Sequence, residues 1–473
     1  MADTHDNLHI VMLPWLAFGH MMPYMELAKW IAGKGHRISF LAAPRNIDRL
    51  PKPPPDLAPL ISFVRLPLPA VEHLPEGAEA TSDLPYDKVP YLKKAYDMLQ
   101  DPVAQFLESS DPDWIMYDFA PYWVGEIASR LGIRSVSFAI LNAASLGFLG
   151  PMWVSKGGDY RKTPEDFTIF PTSPKWVPFP TKVAFRHFEI KKIFDAIMGD
   201  ASGISDTYRF RAGQESCDII ALRSSYELEP EWLSVLKDMQ GKPVFPIGQL
   251  PPSDPETRGE TDSWQSIKES LDARKKGTVV YVAFGSEAKP SQTELGLELS
   301  VLPFFWALKT QVRAADTELV VLPDGFEERV KGHSMVCKSW VPQLKILAHD
   351  SVAEFLTHAE WSSVVEALSF GRALILFTFL ADQGLNAKLL EERQIGYPIP
   401  RNESDGSVMR HSVAESLRLV MVEEEERLYR EKAKEMRPIF GDKGIQERYV
   451  NNLLNYFQEH RLVKHQKTAG ISK

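Results

Sequence analysis

The sequence predicts an α/β protein made of two doubly wound parallel sheets that face each other across a cleft. Its 473 residues, 44% of them hydrophobic, are enough for two or three domains with sizeable cores. Short runs rich in Val, Ile and Phe alternate with segments of helical periodicity, the pattern of parallel strands covered by helices. The alternation stops at residues 242–263, which are rich in proline and polar residues, and then begins again.

The predicted strands are apolar runs of strand length. In the first half they are 8–15, 36–44, 61–68, 114–120, 134–140 and 218–225. Helices are predicted between them at Tyr91–Glu108 and Pro121–Leu131. In the second half the predicted strands are 277–286, 303–309, 334–340, 352–358 and 373–379.

The predicted domain organisation follows from this order of elements. Apolar residues at helical spacing near the end of the chain predict a helix that docks back towards the first domain. Ligands of doubly wound sheets bind beyond the carboxyl ends of the strands, so we expect the site in the cleft. The predicted parts are a first domain at 1–241, a linker at 242–263, a second domain at 264–440, the docking helix at 441–460 and a tail at 461–473.

Composition excludes several classes of function. A formal net charge of -9 argues against a nucleic-acid-binding protein, which normally presents a basic face. The apolar run at 10–18 is too short for a membrane helix and lacks the basic lead-in of a signal peptide. Two cysteines supply neither a disulfide framework nor a cysteine zinc site. We therefore expect a cytoplasmic monomer without an integral membrane segment.

His20 and Asp118 are candidate catalytic residues because each follows a predicted strand of the first domain, at the edge that faces the cleft. A lone histidine is more often structural, and an aspartate shortly before Pro121 is typical of a helix cap. From the residues alone, both alternatives stay open.

The stretch "WSSVVEAL" predicts a helix that begins directly after the strand "VAEFLTH". Unpaired N–H groups and the positive end of the helix dipole make such a start suitable for a diphosphate. An ordinary capped helix is the alternative.

The segment between Trp340 and Gln383 resembles, residue by residue and without a gap, the signature box of plant family 1 UDP-glycosyltransferases. The likeness extends over nearly the whole chain, including "PWLAFGHMMP" and "FGSE". The matching positions are Trp340, Pro342, Gln343, His349, Phe355, His358, Trp361, Ser363, Glu366, Gly371, Asp382 and Gln383.

This resemblance implies the GT-B fold, in which the second of two Rossmann-like domains holds a nucleotide sugar. It implies that His20 is a general base and that Asp118 orients it. Trp340 would stack on uracil, Gln343 would contact ribose or base, and Glu366 would bind the ribose hydroxyls. His358, Ser363 and Ser286 would hold the diphosphate, and Trp361, Asp382 and Gln383 would approach the sugar. The full predicted donor set is Ser286, Trp340, Val341, Gln343, His358, Trp361, Ser362, Ser363, Glu366, Asp382 and Gln383.

The implied reaction is an inverting, metal-independent transfer from a UDP-sugar, with UDP-glucose favoured and no resident cofactor. The expected acceptor is a small-molecule glycoside of the terpenoid or flavonoid class, bound in an apolar pocket that residues 85–91, 122–123, 138–153 and 185–194 could line. Alternatives are transfer to an aglycone hydroxyl and a nucleotide-sugar-binding protein with impaired turnover. An oxidoreductase ranks lowest, because "PWLAFGHMMP" has a single glycine.

Three residues depart from the family pattern. Ser362 stands where Asn is common, and Ala359 and Glu360 stand where Cys and Gly are usual. A carboxylate at a diphosphate site competes with the ligand for the positive helix end. We therefore expect Glu360 to weaken donor binding without abolishing it.

Overall fold

The computed structural model describes residues 7–150, 161–168, 173–253, 262–285, 296–308, 322–423 and 427–462. Within these ranges the chain forms two parallel sheets, each covered by helices. The α/β class expected from the sequence is confirmed.

The first sheet has seven parallel strands among the described residues. They are β1 (His9–Leu13), β2 (Arg37–Ala42), β3 (Ile61–Arg65), β4 (Trp114–Tyr117), β5 (Arg134–Ala139), β6 (Ile219–Leu222) and β7 (Val244–Pro246). Their order in the sheet is β3-β2-β1-β4-β5-β6-β7. The helices of this half are α1 (Phe18–Ala32), α2 (Pro44–Arg49), α3 (Val89–Asp97), α4 (Gln100–Ser110), α5 (Val124–Leu131), α6 (Ala143–Leu149), α7 (His187–Met198), α8 (Asp206–Ser216) and α9 (Pro230–Gln240).

The second sheet has six parallel strands in the described part of the chain. They are β8 (Val279–Ala283), β9 (Phe304–Ala307), β10 (Met335–Cys337), β11 (Val352–Thr357), β12 (Ala373–Leu376) and β13 (Gly396–Pro398). Their order is β10-β9-β8-β11-β12-β13. The helices are α10 (Asp262–Asp272), α11 (Leu297–Ser300), α12 (Phe326–Val330), α13 (Gln343–Ala348), α14 (Trp361–Ser369), α15 (Gln383–Glu392), α16 (Arg410–Val422), α17 (Arg427–Gly441) and α18 (Lys443–Glu459).

Both sheets reverse their strand order at one point, and these points locate the site. In the first sheet β1 lies beside β4, and in the second sheet β8 lies beside β11. Loops that leave such a pair diverge to opposite faces and open a crevice at the carboxyl ends of the strands. His20 and Asp118 follow β1 and β4, and His358 follows β11 directly.

The core explains the strand sequences. Ile10 and Met12 of β1 face a hydrophobic cluster that includes α1 and α18. Val11 and Leu13, on the opposite face, belong to a cluster that continues into the second sheet. Successive side chains of a strand point to opposite faces, so a strand buried on both sides is apolar throughout.

Several details differ from the sequence prediction, among them β13, which no predicted strand covers. The predicted linker 242–263 contains β7, which pairs with β6, so the first sheet extends beyond the boundary placed at residue 241. The helix predicted at Tyr91–Glu108 is two helices, α3 and α4. Pro102 lies in the first turn of α4, where its missing N–H costs nothing, so a helix can begin there but not continue through it.

Helix α18 packs against the first sheet although it follows the second. Phe457 stacks on Trp114 of β4 with ring centroids 4.3 Å apart, and its carbonyl accepts a hydrogen bond from the Trp114 indole N–H. Gln446 bonds the backbone of Ile247 and Leu250, which follow β7. No helix in the described ranges is long and apolar enough to cross a bilayer.

Candidate active site

His20 and Asp118 meet at the switch point of the first sheet. His20 Nδ1 donates a 2.7 Å hydrogen bond to Asp118 Oδ2. Since an ionised carboxylate only accepts, Nδ1 carries the proton and Nε2 of the neutral ring is left as a proton acceptor. The N–H groups of Trp15 (3.1 Å) and Phe119 (2.7 Å) hold the two Asp118 oxygens. A histidine base oriented by a carboxylate has this geometry.

The surroundings of His20 favour its protonated form. Burial lowers the pKa of the ring, but the charge and hydrogen bond of Asp118, with the charges of Asp382 and Glu360, outweigh it and raise the pKa above 6.5. Asp118 does not cap the next helix, because α5 begins at Val124 with Trp123 as its N-cap. The alternative interpretation of Asp118 as a helix cap is therefore wrong.

Local chain geometry places His20 in the first turn of α1. Pro23 lies in the second turn of this helix. Because proline has no N–H, the carbonyl of Gly19 loses the donor four residues later. This carbonyl adjoins His20 at the cleft.

Two cavities lie beside the start of α1, one lined by His20 and the other by Gly19. The large cavity, about 570 Å³, is lined mainly by apolar side chains of the first half and includes His20 and Asp118. The small cavity, about 340 Å³, lies between the start of α1 and the second sheet and includes Gly19. Three of the four segments predicted to line an apolar pocket contribute to the large cavity, whereas Tyr122 and Trp123 lie outside it. The contributing residues are Tyr86, Ala139–Leu141, Ser145, Leu146, Leu149, Gly150, Phe185 and Ile193.

The small cavity contains most of the predicted donor residues. Trp340 is 55% exposed at its edge. Tyr281 donates to Gln343 Oε1 (3.0 Å), and Gln343 Nε2 donates to Glu366 Oε2 (2.7 Å). Burial raises the pKa of Glu366 to about 7. The predicted residues that line the small cavity are Trp340, Val341, Gln343, Ser362, Ser363 and Glu366.

Helix α14 begins at the mouth of this cavity with Glu360 as its N-cap residue. Glu360 makes no side-chain cap; instead its Oε2 accepts from His358 Nε2 at 3.0 Å. The loop between β11 and α14 is strained, since Ala359 has φ of 64°. Gly285, with φ of 70°, approaches His358 so closely that a Cβ would lie 2.6 Å from Nε2.

The Glu360 carboxylate also reaches the first half of the chain. A Cβ on Gly19 would lie 2.6 Å from Glu360 Oε1, so a larger residue there would displace the carboxylate. Burial raises the pKa of Glu360, but the bond to His358 and the charges of His358, His20 and Arg223 lower it below its ordinary value. Glu360 is therefore an anion between the starts of α1 and α14.

The three residues predicted to approach the sugar, Asp382, Gln383 and Trp361, have different surroundings. Asp382 lines the large cavity with His20 and accepts from Asn386 at 3.0 Å. The Gln383 side-chain carbonyl accepts from the N–H groups of Phe379 and Leu380. Trp361 is 2% exposed and its ring lies 6.3 Å from that of Phe440. Its indole ring is buried, its indole N–H has no hydrogen-bond partner among the described residues, and its approach to the sugar stays a prediction.

Ser286 lies outside the described residues. Sequence reasoning missed two buried polar residues of the cleft, Arg223 and Asn386. Arg223 follows β6, and its position at the carboxyl end of a predicted strand was the available signal. Asn386 Nδ2 donates to the Ala359 carbonyl, and its Oδ1 accepts from Asn142 of the first half. Among the described residues, no cluster of three His, Cys, Asp or Glu side chains is placed to hold a metal ion.

A protein-family model matches part of the second half of the chain, and two relatives match nearly all of it. Residues 265–448 match the family model described as UDP-glucoronosyl and UDP-glucosyl transferase. The UDP-glycosyltransferase 91A1 of Arabidopsis thaliana is 51% identical over 98% of this chain and 100% of its own length. The soyasaponin III rhamnosyltransferase of Glycine max is 42% identical over 96% of both chains.

A solved structure shares the fold. The crystal structure of Glycyrrhiza uralensis UGT73P12, complexed with glycyrrhetinic acid 3-O-monoglucuronide, superimposes with a TM-score of 0.77 over 96% of both chains. The sequences are 22% identical, so this likeness concerns the fold alone.

Proposed function

The chain belongs to the plant family 1 UDP-glycosyltransferases and has their GT-B fold, and on that premise we propose that it transfers a glycosyl group, with inversion, to a hydroxyl of a plant secondary metabolite. The favoured donor is UDP-glucose, and the favoured acceptor hydroxyl belongs to a sugar of a terpenoid or flavonoid glycoside. The observation that carries this proposal is the 2.7 Å pair of His20 and Asp118 in the large cavity, with the neighbouring Gly19 lining the small cavity.

In the proposed mechanism the small cavity holds the nucleotide. The exposed face of Trp340 suits uracil, and the Gln343–Glu366 pair suits ribose hydroxyls. The start of α14, with Ser363 in its first turn, suits the diphosphate. Val341 completes the wall beside the base, and Asp382 faces the sugar from the large cavity.

The acceptor binds in the large cavity with its hydroxyl near His20 Nε2. This nitrogen takes the hydroxyl proton as the oxygen attacks the anomeric carbon. The bond between that carbon and the diphosphate oxygen breaks on the opposite face, so the configuration inverts. Asp118 stabilises the imidazolium that forms, and the N–H groups at the start of α14 stabilise the departing UDP. Because these groups supply the base and the charge stabilisation, the mechanism needs no metal ion and no resident cofactor.

The choice of acceptor and sugar rests on finer observations. A mostly apolar cavity of about 570 Å³ has room for a polycyclic aglycone, and polar residues such as Asp206 and Gln214 in its wall can bind sugar hydroxyls. The soybean relative is named for rhamnose transfer to a saponin. UDP-rhamnose is therefore the alternative donor, and a free aglycone hydroxyl is the alternative acceptor.

A nucleotide-sugar-binding protein with impaired turnover is the second candidate, and Glu360 is the observation that favours it. Its anion lies where the diphosphate is expected, bonded to His358. The intact His20–Asp118 pair favours the enzyme, since a binding protein has no use for an oriented base.

A mass-spectrometric screen of donors against acceptors tests the proposal. Purified protein is incubated with UDP-glucose or UDP-rhamnose and with saponin glycosides, flavonoid glycosides and the matching aglycones. With UDP-glucose we expect a product heavier than the glycoside by one hexosyl residue, with UDP released. Binding of UDP-sugars without any product across the panel would favour the binding protein instead.

A further inference from the structure

Arg223 is a buried cation at the edge of the small cavity. It directly follows β6, is 2% exposed and lines that cavity. Its Nε donates to the Gln249 carbonyl at 2.7 Å and its Nη2 to the Leu250 carbonyl at 3.3 Å. These two carbonyls belong to the segment that leads out of the first sheet, so the guanidinium is held in one orientation.

The third contact of Arg223 crosses to the second half of the chain. Its Nη1 donates to Ser362 Oγ at 2.8 Å. Ser362 is the second residue of α14, so this hydroxyl lies at the helix end where N–H groups are unpaired. The guanidinium thus adds a full charge to the partial positive charge of the helix start.

The charge of Arg223 has no direct counter-ion in the described part of the chain. Among the described residues, none forms an ion pair with Arg223 within 4.0 Å, although Glu366, Glu360 and Glu26 act on it from farther away. Burial lowers its pKa to about 10, so the group stays protonated at neutral pH. Burying a charge without a counter-ion costs free energy, and an anion that enters the small cavity reduces this cost.

We propose that Arg223 is a positioning residue for the donor, whose charge attracts the diphosphate of the UDP-sugar through the Ser362 hydroxyl. The hydroxyl accepts from Arg223 and is free to donate its own proton to a phosphate oxygen. Arg223 also offsets the negative charge of Glu360 at the same helix start. This inference rests on the proposed function, because it requires a UDP-sugar in the small cavity.

Calorimetry with UDP and with uridine tests the proposal on wild type and Arg223→Met. The two ligands differ only in the diphosphate, so a charge effect separates them. We expect the Kd of UDP to rise about tenfold or more and that of uridine to change less than about twofold. The loss should shrink as salt is raised. Arg223→Lys, which keeps the charge but not the fork of donors, should recover part of the UDP affinity.

Arg372 offers a matched control. It too donates to two backbone carbonyls, those of Leu347 and His349, but it precedes β12 and so lies at the sheet edge opposite the cleft. Arg372→Met should leave the Kd of UDP unchanged.

The outcomes separate this inference from the proposed function. Wild type that binds no UDP contradicts the proposed function itself. Wild type that binds UDP, with Arg223→Met binding it equally well, overturns the role of Arg223 alone. An equal loss of affinity for UDP and for uridine would show that Arg223 has only a structural role, which would also overturn the proposal. If Arg223→Met does not fold, Ser362→Ala replaces it, with a several-fold weaker UDP affinity expected and unchanged affinity counted against the proposal.

Discussion

At the residue scale, the proposed chemistry depends on how one imidazole is oriented and charged. Asp118 is fixed by two backbone N–H groups, and it fixes the proton of His20 on Nδ1. The same carboxylate raises the pKa of His20 against the effect of burial. The base is active only when neutral, so turnover should rise with pH through this raised pKa.

Asp118→Asn should slow transfer at least about tenfold, since an amide fixes the tautomer less well and does not stabilise the imidazolium. Loss of the charge lowers the pKa of His20, so the acid limb of kcat/KM against pH should move to lower pH. The charge attraction in the pair stabilises the fold fully below pH 6.5 and is lost as pH rises through the raised pKa. The Tm is therefore compared above this raised pKa, where we expect only a modest decrease, because the NH2 group of asparagine cannot accept one of the two backbone N–H bonds. Full activity with an unmoved acid limb would make Asp118 merely structural.

Glu360→Gly should lower the KM for the UDP-sugar several-fold, because it removes an anion from the start of α14. For a charge about 6 Å from a phosphate and an effective dielectric between roughly 20 and 80, the repulsion is about 0.7 to 3 kcal/mol. The gain should shrink as salt is raised, and the apo protein should melt slightly lower because Glu360 no longer bonds His358.

Glu360→Gln is the matched control, since it removes the charge and keeps the backbone preference. It should reproduce most of the gain in KM. A glycine variant that binds the donor no better at low salt would show that the carboxylate turns away from the diphosphate.

At the element scale, strand β11 connects the core to the site. It ends at Thr357, directly before His358, and is followed by α14, whose first turn lines the small cavity. Its Glu354 is fully buried, neither carboxyl oxygen has a hydrogen-bond partner among the described residues, and burial raises its pKa to about 8 although the charge of Arg430 acts against this. The native state thus keeps a proton on Glu354 that the unfolded chain releases above its ordinary pKa.

Glu354→Gln should therefore stabilise the protein at alkaline pH. The folded pKa is raised, so wild-type stability falls as pH rises from about 4.5 to 8, by about 1.4 kcal/mol for each unit of the pKa difference at most. Glutamine resembles the protonated acid at every pH. We expect similar Tm values at pH 5 and a Tm higher by about 2 °C or more for the variant at pH 8. Glu415→Gln, on the exposed face of α16, should show no such pH-dependent difference; equal behaviour of both variants would contradict this account of Glu354.

At the scale of the whole molecule, the features predicted correctly from the sequence are those that local residue patterns encode. Apolar runs of strand length predicted the two sheets. Because His20 and Asp118 each follow such a run, the sequence also predicted that both lie at one edge of the first sheet. Contacts between the halves carry no local signal, so the Arg223–Ser362 and Asn142–Asn386 bonds were not foreseen. Short strands such as β7 were missed because a three-residue run beside proline is indistinguishable from a loop. The packing of Trp361 against Phe440 likewise depends on a helix about 80 residues later in the chain.

The central claim is that a base on the first sheet acts on a donor held by the second. An NMR time course of glycoside formation by wild type and His20→Ala tests it most directly, because the anomeric proton reports both rate and configuration. We expect a product of configuration opposite to that of the donor sugar, and a rate at least about a hundredfold lower for His20→Ala although the variant still binds UDP. Near-normal turnover by His20→Ala, or a product that retains the donor configuration, would contradict the account.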